Sequence, residues 1–262
     1  MPREASLSNE YLHPLIYGDP GAGKTTLATS SGSKVLIIHP PTDSVGSAIR
    51  VGHSFSEEVI TDWSEMNDVY EYLRHEDHGF KWVWLDSISL AQDELLHSIM
   101  QDVVSLKPSR QIEVPDVREY MINFQRLLTW TRSMCALPVH FGMTAHAYRY
   151  SVDARDAVDQ DAEDVIYMPW VQGKMMPEKM CAYMNIVGFL DVLSDREGNE
   201  RRVLWTRKRN RFYAKDQFGA FGEKVIDPTL DKMEAIVYKG IPKPEAAKKV
   251  TAKKVTVKRK PA

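Results

Sequence analysis

The sequence has only two cysteines in 262 residues, Cys135 and Cys181, and they lie far apart without a CxxC pair. This scarcity argues against a disulfide-stabilised scaffold and predicts two reduced, mostly buried thiols. No stretch approaches the roughly 18 unbroken apolar residues that a membrane helix needs. The first ten residues, MPREASLSNE, also lack the apolar segment of a secretory signal, so we expect a cytoplasmic protein.

Net charge is nearly absent at −2, but this balance hides an asymmetry. Nine Lys or Arg and a single acid, Glu245, fall between Lys239 and Lys260, whereas the rest of the chain carries 25 basic and 35 acidic side chains. The pattern predicts a folded domain at 1–238 and a basic, disordered tail at 239–262. Such a tail binds nucleic acid in some proteins and only solubilises others, and the composition leaves both functions open.

Apolar runs alternate with amphipathic stretches along the body of the chain. Buried strands are predicted at 12–17, 34–39, 80–86 and 138–144, and helices at 64–74, 87–104, 117–135 and 231–237. This alternation predicts an α/β fold with a mostly parallel, twisted sheet and helices on both faces. Apolar runs at 186–193 and 202–206 flank a turn signal and predict a C-terminal antiparallel hairpin. The charged segment 147–168 is predicted to be a long functional loop.

The strongest motif is GDPGAGKT at 18–25, which satisfies the full G-x-x-x-x-G-K-[ST] pattern of a P-loop between a strand and a helix. Glycines let the backbone bring successive N–H groups against phosphate oxygens, and the helix N-terminus adds partial positive charge. Lys24 is expected to reach the β and γ phosphates, while the Thr25 hydroxyl ligates Mg. We expect ATP and Mg to be bound by Gly18, Asp19, Pro20, Gly21, Ala22, Gly23, Lys24, Thr25 and Thr26.

Three polar residues near strand ends are candidates for the ATP chemistry. Asp86 ends an apolar run and is predicted to be the Walker B acid that holds the Mg shell. Ser87 follows it, where many helicase-like and AAA+ ATPases carry a catalytic Glu. No Glu follows the second predicted strand either, and Asp43 is the nearest acid that can position water. His146, after the fourth strand, is a candidate sensor of the γ-phosphate. Nucleotide binding is therefore firmly predicted, whereas fast hydrolysis is in doubt.

The Asp-Ser pair that ends the Walker B strand resembles the RecA recombinase family, whose catalytic Glu comes from the strand after the P-loop helix. The C-terminal half is similar to a narrower group, the phage-encoded RecA-like ATPases associated with single-strand annealing (the Sak group with a RecA-like core). The motifs that carry this resemblance are MPWVQGK at 168–174, FLDVL at 189–193, YAKDQF at 213–218 and IDP at 226–228. Gln217 departs from it, since an arginine often follows the Lys-Asp pair in that group. The resemblance covers roughly residues 12–237.

The resemblance implies a RecA-like fold and ATP-linked binding of single-stranded DNA during phage recombination or replication. It further implies a homo-oligomeric ring or filament in the bacterial host cytoplasm, with a phage single-strand-binding protein as another partner. In RecA-type assemblies a Lys or Arg enters the neighbouring subunit's ATP site, and here Lys208 and Arg209 are the candidates. A solvated charge run is the alternative explanation for these two cations.

Candidate DNA contacts lie in two predicted loops, 105–116 and 147–168, where the resemblance places them. They are Lys107, Arg110, Tyr148, Arg149, Tyr150 and Arg155, a mixture of cations and aromatic rings suited to stacking on bases. The second loop also holds six acids, which repel phosphate.

Two other functions remain open. A P-loop small-molecule kinase would need an arginine lid and an acceptor pocket but no basic tail. A nucleotide-gated DNA- or protein-binding module with little hydrolysis is favoured by the missing Glu.

Overall fold

A computed structural model describes residues 6–151, 165–173, 175–194, 197–209 and 211–240. The strands are β1 Pro14–Gly18, β2 Val35–His39, β3 Ser56–Val59, β4 Trp82–Leu85, β5 His140–Ser151, β6 Val165–Pro169, β7 Ile186–Ser194, β8 Glu200–Trp205, β9 Lys215–Asp216 and β10 Lys224–Ile226. The α-helices are α1 Lys24–Ala28, α2 Gly46–Arg50, α3 Trp63–His75, α4 Ile88–Leu106, α5 Val117–Cys135, α6 Met176–Tyr183 and α7 Leu230–Val237. A 3-10 turn lies at Leu7–Asn9.

The described strands form one sheet in the order β10-β8-β7-β1-β5-β4-β2-β3, with β6 paired to β5 and β9 to β7. In this spatial order, every neighbouring pair from β7 to β3 is parallel. The pairs β7–β8 and β8–β10 are antiparallel. The predicted α/β class, the mostly parallel sheet and the C-terminal hairpin are therefore confirmed. The carboxyl ends of β1, β2, β4 and β5 meet at one edge, the usual location of a ligand site in such sheets.

The central strands are buried on both faces, which explains their unbroken apolar sequences. In β4, Val83 and Leu85 face the hydrophobic cluster beneath α3, α4, α5 and α6, whereas Trp82 and Trp84 face the opposite cluster beneath α1 and α7. Helices thus cover both faces, as predicted. Helix α5 begins at the predicted residue because Asp116 and Glu119 form a capping box there.

The prediction of a loop across 147–168 is wrong at both ends of that segment. Strand β5 continues to Ser151 and pairs antiparallel with β6, from Ala147 opposite Pro169 to Ser151 opposite Val165. We call this pair the β5–β6 arm. The arm half of β5, AYRYS, alternates polar and aromatic residues, whereas β6 is the short apolar run VIYMP, which the charged sequence before it obscured. Residues 152–164 of the predicted loop lie outside the described residues, as do residues 241–262 of the predicted tail.

Some elements carried no clear sequence signal. Strand β3 is the sheet edge and is mostly exposed, so its sequence SEEV has no apolar pattern. Helices α2 and α6 have five and eight residues, too few for the helical periodicity to stand out. Within the described ranges, no helix is long and apolar enough to cross a membrane.

Burial suppresses the reactivity of both thiols. Desolvation raises the pKa of Cys135 and of Cys181 to about 12 in each case. At pH 8 only roughly one thiol in ten thousand would be ionised, and the thiolate is the reactive form. We therefore expect slow labelling of the native protein by Ellman's reagent and rapid labelling of two thiols in guanidinium chloride, followed by absorbance. Labelling of the native protein as fast as that of glutathione would contradict this prediction.

Candidate functional site

The P-loop joins β1 to α1, and its glycines serve two different purposes. Gly21 and Gly23 have φ angles of 84° and 96°, which only glycine adopts without strain. Gly18 is needed instead for close packing, because a Cβ there would lie 2.3 Å from the backbone oxygen of Leu190 in β7. Helix α1 spans only five residues, so its dipole adds less to phosphate binding than the sequence predicted. Binding therefore depends mainly on the loop's N–H groups and on Lys24.

The Lys24 side chain is held inside the loop by backbone oxygens. Its Nζ donates to the backbone oxygens of Gly18 and Asp19, both at 3.0 Å. Burial lowers the pKa of Lys24, whereas the carboxylates of Asp86, Asp19 and Asp43 oppose that shift. One cation thus lies among three acids.

Asp86 follows β4 and is almost fully buried, at 4% exposed. Its Oδ1 accepts a hydrogen bond from the Thr144 hydroxyl on β5, and the Thr25 hydroxyl also donates to this carboxylate. Burial raises the pKa of Asp86, while the hydrogen bonds from Thr144 and Thr25 act in the opposite direction. The structure therefore brings together the two predicted Mg ligands, Thr25 and Asp86.

The chemistry of these groups fits Mg. Hydroxyl and carboxylate oxygens are the donors that this hard cation prefers. A buried carboxylate is also costly to keep ionised, and a bound cation would offset that cost. Thr25 and Asp86 are the residues that would hold the ion.

Asp43 reaches the same site from the loop after β2. Its Oδ2 accepts from the Ser87 backbone N at 2.7 Å and from the Ser87 hydroxyl at 2.9 Å. Among the described residues none donates to Oδ1, which leaves that oxygen able to accept from water. Ser87, from which the sequence favoured a RecA-type enzyme, therefore positions the candidate base, a role that no sequence signal indicated.

His146 lies on β5 and is connected to two neighbouring elements. Its backbone N donates to the Ser89 hydroxyl of α4 at 2.9 Å, and Ser89 donates to the Trp170 oxygen at 2.8 Å. The backbone N of Trp170 in turn donates to the backbone oxygen of His146 at 2.7 Å, which completes a ring of three hydrogen bonds. Burial and the charge of Lys24 lower the pKa of His146, with Asp43 opposing. The ring is therefore expected to be neutral at pH 7.

Two cations, Lys208 and Arg209, are predicted to enter the ATP site of a neighbouring subunit, and they differ in their surroundings. Arg209 forms an ion pair with Glu223, and its guanidinium lies 4.3 Å from the centre of the Trp205 ring. Lys208 is exposed beyond the end of β8. Of the two, Lys208 is the one without a described ion pair.

The DNA candidates are divided between helix ends and the β5–β6 arm. Lys107 is exposed at the end of α4, whereas Arg110 bonds to Asp116 and Glu119 at the start of α5. On the arm, Tyr148 is 50% exposed, and the Arg149 Nε donates to the Tyr167 hydroxyl at 2.7 Å. The Tyr150 side chain and Arg155 lie outside the described residues.

A P-loop after β1, a buried acid after β4 and polar groups on β5 converge at the carboxyl edge of the parallel sheet. This arrangement defines a P-loop ATPase domain. Residues 11–218 match the AAA_24 family, described as an AAA domain, and the chain belongs to this family. The expectation of a P-loop ATPase is thereby confirmed. Ser87 had favoured a RecA-type over an AAA-type enzyme, and the family assignment does not support using that single position to separate them.

Two solved structures are distantly similar. The flagellar accessory protein FlaH from Methanocaldococcus jannaschii is 11% identical, with a TM-score of 0.42 over 82% of this chain and 84% of that chain. The KaiC-like protein PH0186 from Pyrococcus horikoshii OT3 is 14% identical, with a TM-score of 0.41 over 76% and 80%. A comparison with curated proteins found no match.

The bond between Thr144 and Asp86 can be tested by a double-mutant cycle. Because a bond to a buried charge is strong, Thr144→Val should lower the free energy of unfolding by about 1.5–3 kcal/mol in the native background. In an Asp86→Asn background the same change should cost only about 0.5–1.5 kcal/mol. Urea denaturation measures both values. Thr206→Val, which removes another buried hydroxyl, is the control. Equal costs of Thr144→Val in the two backgrounds would show that charge does not strengthen this bond.

Proposed function

We propose that this protein is a slow ATPase that splits ATP by direct attack of water and couples the nucleotide state to binding of single-stranded DNA, acting as a homo-oligomer. The observation that carries the proposal is the continuity of β5. One strand bears Thr144 and His146 at the nucleotide site and, two residues further on, Tyr148 on the arm.

Each residue of the site has a role in the proposed reaction. The ammonium of Lys24 stabilises negative charge on the transferring phosphoryl group. The Oδ1 of Asp43, which accepts from no described residue, accepts a hydrogen bond from the attacking water. Mg, when bound by Thr25 and Asp86, would neutralise charge on the β and γ phosphates.

Turnover is expected to be slow for two reasons. The Oδ2 of Asp43 is already engaged by two hydrogen bonds from Ser87, so this carboxylate has one oxygen left with which to orient water. The site also has only one cation, Lys24, within its own P-loop. A cation from a neighbouring subunit would complete it, and Lys208 is the better placed of the two candidates because Arg209 must first leave Glu223.

Coupling to DNA follows from the way the arm is held. A change at the γ-phosphate felt by His146 is transmitted to Trp170 through their hydrogen bond and through Ser89. Gln172 adds a second link, since its N donates to the Gln92 Oε1 of α4 at 2.8 Å. The end of β6 and the start of α4 therefore move together with β5.

The proposal of DNA as the partner rests on the resemblance to the phage annealing group, on the aromatic and cationic side chains of the arm and on the basic tail at 239–262. ATP binding with little hydrolysis, in a nucleotide-gated binding module, is the second candidate. The double engagement of Asp43 by Ser87 is the observation that favours it.

The role of Asp43 is tested by Asp43→Asn. Asparagine keeps an oxygen for Ser87 but cannot act as a base, so turnover should fall by roughly 100-fold or more while ATP affinity stays nearly the same. Phosphate release and equilibrium ATP binding measure the two effects, with exposed Asp68→Asn on α3 as the control. If turnover is unchanged, another group positions the water; if ATP binding is lost equally, Asp43 has a structural role.

The DNA proposal is tested by measuring ATP turnover with and without single-stranded DNA at two salt concentrations. We expect stimulation by DNA that weakens as salt rises. Removing residues 240–262 should weaken DNA binding and flatten its salt dependence, because each lost phosphate contact reduces the slope by about 0.7.

The variant Tyr148→Ala should reduce DNA stimulation without altering basal turnover. The control Tyr72→Ala on α3, where the side chain is similarly exposed at 45%, should change neither. Turnover that requires a small acceptor molecule would indicate a kinase. Tight ATP binding without turnover would favour the nucleotide-gated module.

A further inference from the structure

The nucleotide site has too little positive charge within its P-loop for the ligand it is built to bind. Lys24 is attracted by three carboxylates, those of Asp86, Asp19 and Asp43, and His146 contributes no charge when neutral. A nucleotide triphosphate brings several further negative charges to the same place. A second cation near the phosphates would therefore stabilise the complex considerably.

Arg202 on β8 lies against the P-loop of its own chain. A Cβ built on Gly23 would be 2.3 Å from the Arg202 Nε, 3.0 Å from its Cδ and 3.2 Å from its Cζ. The strand directs Arg202 to this position, because alternate residues share a face and Leu204 packs in the cluster beneath α1. The side chain thus lies on the face of the sheet that carries the loop.

The guanidinium of Arg202 has no hydrogen bond or ion pair with any residue of the described chain, although its backbone N donates to Asp227. The adjacent Arg201 is different, since its Nε donates to the Asp227 Oδ2 at 2.7 Å. The two neighbouring arginines of this strand therefore differ in the pairing of their side chains. Arg201 is paired with a carboxylate, whereas the exposed Arg202 side chain has no partner among the described residues and contacts a phosphate-binding loop.

We infer that Arg202 is a nucleotide-binding residue that acts within its own subunit, donating from its guanidinium to the α and β phosphates. The position of Gly23 supports these phosphates, because the backbone N–H groups of a P-loop cradle the α and β groups while the lysine reaches the γ end. The planar fork of an arginine is suited to phosphate oxygens. This inference rests on the proposed binding of ATP, and it assigns to Arg202 a role separate from that of Lys208 in the neighbouring subunit's site.

The test compares binding of ATP and ADP by Arg202→Ala, Arg202→Lys and Arg201→Ala, using isothermal titration calorimetry on the full chain. Because both nucleotides carry α and β phosphates, Arg202→Ala should weaken both by a similar factor of roughly 10 to 100. Arg202→Lys keeps the charge without the fork and should give an intermediate loss. Arg201→Ala should stay within about threefold of the native chain, since it removes only an exposed ion pair.

Unchanged affinity of Arg202→Ala for both nucleotides would overturn the inference, and so would a loss confined to ATP, which would place the contact at the γ-phosphate. Failure of the native chain to bind ATP would overturn the proposed function itself. If Arg202→Ala melts at a lower temperature than Arg201→Ala, Arg202→Gln replaces it, since glutamine keeps most of the side chain. Equal affinities of the Lys and Gln variants would then contradict a role for the charge.

Discussion

The site depends on one buried carboxylate. Asp86 is placed where water cannot solvate it, and the hydroxyls of Thr25 and Thr144 compensate for that loss. Because Asp86 follows β4, Thr25 lies at the start of α1 and Thr144 lies on β5, the carboxylate links the P-loop helix to two neighbouring strands. It also leaves the site in need of a cation, since two hydroxyl donors replace only part of the lost hydration. The same interaction therefore orders the sheet edge and favours binding of a metal-bound nucleotide.

The sequence was most informative where a residue's surroundings are determined locally. The P-loop needs glycine at φ angles near 90°, and the buried strands need apolar side chains on both faces, so both could be predicted. The contacts of Asp43 with Ser87 and of Arg202 with Gly23 join residues 44 and 179 positions apart. Such pairs depend on strand order, which no local pattern specifies. The β5–β6 arm escaped prediction because its two strands, AYRYS and the short run VIYMP, flank a highly charged stretch that made the whole segment resemble a loop.

Charge is distributed unevenly between the site and its surroundings. Three acids surround Lys24, whereas Arg202 on β8 lies against the P-loop of the same chain at Gly23. The β7–β8 hairpin therefore contacts the P-loop as well as extending the sheet. It approaches the P-loop closely enough that Gly18 can carry no side chain against Leu190. The hairpin backbone and the Arg202 side chain thus both approach the P-loop, at Gly18 and at Gly23.

The edges of the sheet limit how copies of the chain can associate. The outer strand β3 is short and carries Glu57 and Glu58, and the opposite outer strand, β10, has only three residues and begins with Lys224. Short, charged edges resist the addition of further strands from another molecule. Growth of a continuous intermolecular sheet is thus disfavoured at both ends. Association of copies, as proposed above, is therefore expected to use surfaces other than the β3 and β10 edges.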